Sequence, residues 1–276
     1  MIQLRVACVQ LRSGVEVAPN IEATSALVRE AAGQGAQLVA TPEMTNLLDI
    51  RPGMARPKIV AEADDQTLAA LSAMAAELGI WLLIGSLAVT LEGDDRFANR
   101  SFLIAPDGAV LARYDKIHMF DVDVEDGQSY RESRSYRPGE RAVLAETEFG
   151  TLGMTICYDV RFPHLYRRLA QAGADILTIP AAFTRVTGRA HWDVLVRARA
   201  IETGSFVIAP AQGGRHEDGR ETFGHSLIVS PWGEVLAEKA DDAPGVILAD
   251  LDLDAVAKAR GRIPSLGNDQ MIKFEN

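Results

Sequence analysis

Cysteine is scarce in this chain. Cys8 and Cys157 are its only two in 276 residues, which excludes a disulfide scaffold and leaves each thiol free for other work. Positive charge is short as well: 28 Lys and Arg face 38 Asp and Glu, for a net charge of −10. That balance excludes the broad basic face that binding to a phosphate backbone needs, so no nucleic-acid partner is expected. No apolar stretch reaches the length of a membrane span, and no basic region followed by an apolar run succeeds Met1. The expectation is a cytoplasmic protein that engages no membrane. The five histidines, at 118, 164, 191, 216 and 225, lack zinc spacing. Asp121, Asp123, Glu125 and Glu132 imitate the acidic positions of a calcium loop. Asp126, however, stands where that loop must turn on glycine, and the flanks do not read as helices, so no metal is expected. The stretch AQGGRHEDG is neither a P-loop nor a dinucleotide fingerprint.

What is present is an alternation of apolar runs and helical periodicities. Residues 6–11, 37–41 and 81–87 read as strands, separated by helices over 19–34 and 67–78. A hairpin over 99–114 turns on Ala105-Pro106-Asp107-Gly108. The second half repeats this order. It has strands at 151–157, 176–180 and 206–212, helices at 165–172 and 191–203, and a hairpin from 225 to 239. SFLIAPDGAVLAR from Ser101 matches SLIVSPWGEVLAE from Ser226, so two similar units are expected in one chain. They can pack as a four-layer α-β-β-α sandwich with an internal pseudo-two-fold, or as one open doubly wound sheet. A late strand over 245–251 and a helix over 253–260 follow. The segments 49–65 and 121–141 are long irregular connections, and such loops in a compact α/β chain are commonly functional.

Three charged or nucleophilic residues sit where apolar strands or hairpin arms end. Cys157 in GMTICYDVRFP closes a strand just before a helix, the place where α/β folds present reactive side chains. The helix start acts to lower its pKa; taken alone, the residue reads equally well as a small buried hydrophobe. Cys8 lies inside its strand and reads as core. A thiol attacking an acyl carbon needs a base, an oxyanion donor and a proton source. No histidine carries a papain- or caspase-type signature, whereas Glu43 ends QLVATPE and Lys116 ends ARYDK. Taken singly, each is also compatible with a solvated strand end, and Glu132 in YRES with a surface carboxylate.

Taken together, LVATPEM around Glu43, RYDKIHMFDVD around Lys116 and GMTICYDVRFPHLYRRLAQAGADIL around Cys157 resemble the three signatures of the nitrilase superfamily, the carbon–nitrogen hydrolases. The resemblance runs from about residue 6 to residue 252, in the order Glu, Lys, Cys. AHWDVLVRARAIET, AQGGRHEDG and FGHSLIVSPWGEVLA are most similar to its Nit branch. The resemblance implies a single hydrolase domain over residues 1–276, the α-β-β-α sandwich, no cofactor, and a homodimer or larger homo-oligomer. It also implies an amidase that works through a thioester and releases ammonia. Cys157 would be the nucleophile and Glu43 the base. Lys116 would hold the oxyanion together with the N–H of Tyr158, and Glu132 would be an auxiliary glutamate. The implied partner is a small carboxylate-bearing amide, deaminated glutathione first and an α-keto-acid amide such as α-ketoglutaramate second. Nitrile or N-carbamoyl hydrolysis would use the same four residues, and a binding protein on a retained fold is the non-enzymatic alternative. Tyr158, Arg161, Phe183, Thr184 and Arg185 are the candidate substrate contacts, with Arg161, Arg185 or Arg189 expected to pair with the carboxylate. Lys116 favours a Cys157 thiolate and Glu43 opposes it, so the resting protonation of the thiol is left open.

Overall fold

The computed structural model describes residues 3–123 and 129–275. In chain order, β1 (Gln3–Gln10) and α1 (Val17–Gly33) lead to β2 (Leu38–Ala40), α2 (Gln66–Leu78), β3 (Trp81–Leu91), β4 (Asp94–Ile104) and β5 (Val110–Asp115). Two short strands, β6 (Asp121–Asp123) and β7 (Ser129–Arg131), pair with each other. The second half runs through β8 (Val143–Thr147), β9 (Gly150–Met154), α3 (Pro163–Gln171), β10 (Ile176–Thr178), α4 (Arg185–Thr203) and β11 (Phe206–Ala209). A ribbon of β12 (Gly213–Arg215) and β13 (Glu221–Phe223) precedes β14 (Leu227–Val229), β15 (Val235–Glu238), β16 (Gly245–Asp252) and α5 (Asp254–Arg262).

The strands form two six-stranded sheets on one plan, ordered β16-β1-β2-β3-β4-β5 and β15-β14-β11-β10-β9-β8. In each sheet three parallel strands are extended on one side by an antiparallel pair and on the other by a single antiparallel strand. The repeat seen in the sequence is therefore a repeat in topology, and two sheets replace the single open sheet that periodicity alone allowed.

Alternation along the strands assigns the faces. Leu4, Val6 and Cys8 of β1 join Leu83 and Leu103 in a core shared with Met154, Ile176, Ile208 and Val229 of the other sheet. The intervening Ala7 and Val9, with Leu82, Ile84 and Phe102, pack beneath Val28 and Ala31 of α1 and Leu71 and Ala75 of α2. On the far side, Leu165, Leu169, Trp192 and Val196 bring α3 and α4 onto the second sheet. The result is four layers, helices outside and sheets face to face. Cys8 is fully buried between the sheets, as its core reading required, and burial pushes its thiol pKa up.

Most boundaries shift by one to three residues from the sequence reading, as in β1, β2, β10 and β11, and three differences have a local consequence. Helix α4 begins at Arg185 rather than 191, because the Thr184 side chain accepts a hydrogen bond from the backbone N–H of Thr187 and caps it. Its interior Gly188 is no breaker: a Cβ there would lie 2.3 Å from Phe223 Cβ, so the absence of a side chain lets β13 approach. β3 and β4 continue as a long ribbon past residue 87. Strand β9 stops at Met154, and Cys157 instead opens a 3-10 turn, Cys157–Arg161.

Gly85 joins the two halves at the site. It sits at an irregularity in the β3–β4 pairing, where a Cβ would come within 1.9 Å of the Thr41 carbonyl oxygen and 2.4 Å of Pro180 Cβ. Those two neighbours lie just before Glu43 and just after β10. Gly85→Ala is therefore expected to lower stability by about 1–3 kcal/mol or more, read as the urea unfolding midpoint. An unchanged midpoint would show that the loops have room to separate.

Candidate active site

Three strand ends from distant parts of the chain converge. Glu43 follows β2, Lys116 follows β5, and Cys157 follows β9; all are buried, with relative exposures of 5%, 2% and 7%. Glu132 arrives from the segment after β7, at the start of a 3-10 turn. The strands that carry Glu43 and Cys157 belong to the parallel triplets of opposite sheets, and both residues lie beyond the carboxyl ends, where open α/β sheets bind ligands.

The Lys116 ammonium organises the group. Its Nζ lies 2.8 Å from Glu43 Oε1 and 2.9 Å from each oxygen of Glu132. The carboxamide nitrogen of Asn99 donates to the same two acids, at 2.9 Å to Glu43 and 3.3 Å to Glu132. The backbone N–H of Ala182 donates to Glu43 Oε2 at 3.0 Å, and that of Phe120 to Glu132 Oε2 at 2.6 Å. The Cys157 thiol lies near enough to Glu43 and to the Ala182 backbone for both to influence its titration. Gln212 fixes the backbone beneath: its Nε2 donates to the carbonyls of Glu43 and Met44 at 3.0 and 3.3 Å. Asn99 and Gln212 escaped the sequence reading, since a neutral amide carries no motif of its own.

Burial and charge set the protonation states. Burial alone would raise the Glu43 pKa, but the Lys116 charge and its hydrogen bond outweigh it, and the carboxyl titrates below its ordinary value. Burial would lower the Lys116 pKa, yet Glu132 and Glu43 drive it well above normal. For Cys157, burial comes first and Glu43 adds to it, outweighing Lys116, so the thiol pKa is well above its usual value. The resting site thus holds a carboxylate, an ammonium and a neutral thiol. Any lowering from the following helix is overridden.

The backbone at Cys157 is unusual. Cys157 has φ 48°, in the left-handed region that a residue with a side chain rarely enters, and Met44, next to Glu43, has φ 57°. Cys157 N–H donates to the Pro180 carbonyl at 2.9 Å and Met44 N–H to Ser86 Oγ at 2.9 Å, and these bonds hold the turns. Asp159, fully buried, ties the cysteine turn to the lysine strand. It accepts from Tyr114 Oη at 2.7 Å and from the backbone N–H groups of Ile156 and His118 at 2.9 and 3.1 Å.

The group opens into a cavity of about 680 Å³. Both long connections flagged in the sequence contribute to its walls, through residues 49–53, 55, 56 and 59 of the first and 129–132 and 134–136 of the second. Among the sequence candidates, Tyr158, Phe183 and Thr184 line it. Arg161 and Arg185 do not: Arg161 lies over the rings of Tyr158 and Phe183, with its Nη atoms 3.3 Å from His191 Nδ1, and Arg185 pairs with Asp242 and Glu221. Arg189 is exposed on α4. Glu125 and Asp126 of the rejected calcium loop lie outside the described residues. Among the described residues, no three His, Cys, Asp or Glu side chains cluster to hold a metal, and no helix is long and apolar enough to cross a membrane.

A family model described as carbon-nitrogen hydrolase matches residues 5–261. A deaminated glutathione amidase of Synechocystis is 41% identical over 264 residues, which are 94% of this chain and 96% of that protein. One from Yersinia enterocolitica is 38% identical over 274 residues, 99% of this chain and 95% of that one. Among solved structures, the C. elegans NitFhit protein superposes with a TM-score of 0.89 at 31% identity, covering 97% of this chain and 65% of its own.

The ion cluster makes a prediction with a defined sign. Lys116→Met keeps most of the volume but leaves the buried Glu43 and the partly buried Glu132 without their cation, a change of about 3–5 kcal/mol against folding at neutral pH. In the wild type the lowered Glu43 pKa stabilises above the ordinary carboxylate range, and that contribution is lost as pH falls through the folded value. In the variant the unpaired acids titrate above that range, and acidification relieves them. The stability gap between the two proteins is therefore expected to narrow from pH 7 to pH 5 in urea titrations. A gap that stays constant or widens would show that the charges are not coupled through Lys116.

Proposed function

The chain belongs to the carbon–nitrogen hydrolase family, and on that premise we propose that it is a cysteine-dependent amidase whose substrate is deaminated glutathione. The observation that carries the reading is the Glu43–Lys116–Glu132 cluster with the Cys157 thiol beside Glu43, all lining one cavity. It is supported by the similarity of the chain to amidases of that name over nearly its full length.

In this reading Cys157 Sγ attacks the amide carbonyl carbon as its proton passes to Glu43, so no free thiolate is needed at rest. Negative charge gathers on the carbonyl oxygen, which the Lys116 ammonium and the N–H of Tyr158 receive. Three close oxygens already occupy the three N–H donors of Lys116, so donation to the oxyanion requires one Glu132 contact to be given up. Glu132 is then the residue that aims the ammonium. Collapse breaks the C–N bond, and Glu43 returns the proton to the departing nitrogen. Glu43 next takes a proton from water, the hydroxide attacks the thioester, and the thiol is regenerated. For deaminated glutathione the products are an α-keto dicarboxylate and the dipeptide cysteinylglycine, in place of the ammonia of a simple amide. The proposal includes a single domain and a cytoplasmic homo-oligomer. Exposed Ile201, Trp232 and Ile263, which line one shallow depression, support self-association.

Purified protein is expected to convert deaminated glutathione to equal amounts of both products, with Cys157→Ala and Glu43→Gln lowering kcat by about 10³-fold or more. Turnover that survives in Cys157→Ala would refute the thioester, and ammonia from α-ketoglutaramate without cleavage of deaminated glutathione would transfer the assignment to an ω-amidase. Alkylation gives a second check. A neutral resting thiol predicts that the rate of Cys157 modification keeps rising through pH 9. A rate independent of pH from 6 to 9 would mean a thiolate at rest.

A further inference from the structure

Five arginines line the cavity: Arg51, Arg56, Arg131, Arg134 and Arg220. Most have an evident occupation or stand in water. Arg51 pairs with Asp49 at 2.8 Å and Arg131 with Asp123 at 2.8 Å. Arg56 donates to the Asp95 carbonyl at 2.6 Å and covers the Phe97 ring, 4.9 Å from its centroid. Arg134 is exposed. Arg220 differs: it is half-buried, and its Nε is buried with no hydrogen-bond partner. Among the described residues no carboxylate stands within ion-pair distance of its guanidinium. Leaving a charged donor buried and unmatched is costly, so such a group implies an acceptor that arrives with a ligand.

The backbone around Arg220 is built to hold that side chain in place. Arg220 closes the turn between β12 and β13, where His216 N–H donates to the Arg220 carbonyl at 2.8 Å. Arg220 N–H donates to Asp218 Oδ1 at 2.9 Å, and Asp218 Oδ2 accepts from Ile50 N–H at 2.9 Å. Both oxygens of Asp218 are thus engaged by backbone, and Glu221, the next residue, pairs with Arg185 at 3.5 Å instead. His216 is buried between the Ser13 carbonyl at 2.9 Å and Thr222 Oγ1 at 2.7 Å, anchoring the turn to the loop after β1. Tyr136, which also lines the cavity, lies within electrostatic range both of Arg220 and of the Glu132, Glu43 and Lys116 cluster. Arg220 and the reacting group therefore face one shared space.

We propose that Arg220 receives a carboxylate of the substrate and is a specificity-determining residue, an assignment that rests on reading the site as a hydrolase of carboxylate-bearing amides. The guanidinium fork suits a carboxylate, and an enzyme of net charge −10 needs a local cation to hold an anion. Deaminated glutathione carries a carboxylate at each end, one on the keto-acid side and one on the glycine, and the experiment separates them.

The test compares kcat/KM for deaminated glutathione with two analogues, each bearing a neutral carboxamide in place of one carboxylate. The wild type is expected to discriminate against one analogue by about 30-fold or more, and Arg220→Ala to collapse that ratio toward unity, chiefly through KM. The analogue whose ratio collapses names the end that Arg220 holds. Arg220→Lys keeps the charge but not the fork, so an intermediate ratio is expected, and it supplies the readout should the alanine variant fail to fold. Wild-type discrimination that persists undiminished in both variants overturns the assignment alone. Wild-type protein that treats all three compounds alike overturns the carboxylate reading of the site and this assignment with it.

Discussion

The structure turns on placing one ammonium where water cannot reach it. A lysine as buried as Lys116 is tolerable only if acids replace its hydration, and two do, with Asn99 bridging them. Those acids come from positions 43 and 132, so the loops after β2 and β7 must close on the end of β5 before the cluster exists. Burial first and the adjacent Glu43 second set the state of the thiol beside this cluster. Cys157 stays neutral because it is buried and its neighbouring base is a carboxylate held ionised by lysine. A Cys–His pair would store such a thiol as a thiolate; in the proposed mechanism deprotonation is deferred until a carbonyl carbon is present.

The pseudo-symmetry of the fold explains why two sheets are needed for one site. Each sheet ends a parallel triplet at the same place, but the two triplets contribute from strands that do not correspond. The first sheet brings Glu43 from the end of its central strand β2, while the second brings Cys157 from the end of its flanking strand β9 and a supporting N–H, Ala182, from beyond its central strand β10. Two glutamines stitch the halves. Gln212 reaches from the second half to the Glu43 backbone, and Gln10 at the end of β1 accepts from Ser226 N–H at 3.0 Å and donates to the Asp241 carbonyl at 2.7 Å. Gly85 is the point where these halves touch without a side chain between them.

Much of this was legible in the sequence, for a physical reason. A charged residue at the end of an apolar strand breaks the pattern that burial would otherwise impose, which made Glu43 and Lys116 candidates beside Cys157. Each alone also read as a solvated strand end or as core, and only the three signatures together singled them out. The strand-helix alternation and the matching hairpins disclosed the two-unit plan. What stayed hidden depends on contacts between distant segments. Thr184 as a helix cap is obscured by Gly188, whose role is visible only once Phe223 lies against it. Asn99 is an ordinary strand residue until two acids arrive. Arg161 and Arg185 lie near the nucleophile or on a neighbouring segment, and linear proximity favoured them. Arg185 is engaged by Asp242 and Glu221, partners 57 and 36 positions away that only the fold reveals.

Rigidity is the remaining requirement, and the backbone strain at the site bears on it. The reading of the chemistry asks one carboxylate to take a proton from sulfur, give it to nitrogen, and take another from water, all without changing partners on its other face. Glu43 is fixed for this by Lys116 and Asn99 on one oxygen and the Ala182 N–H on the other. The left-handed turns at Met44 and Cys157 cost about 1–3 kcal/mol each, and nothing local in either segment repays that. The bonds that hold them, to Ser86 and to the Pro180 carbonyl, come from other strands and form only in the completed sandwich. Stability stored in the paired sheets thus maintains a geometry that neither segment would adopt alone, and the thiol and its base stay in register because the core around them cannot relax.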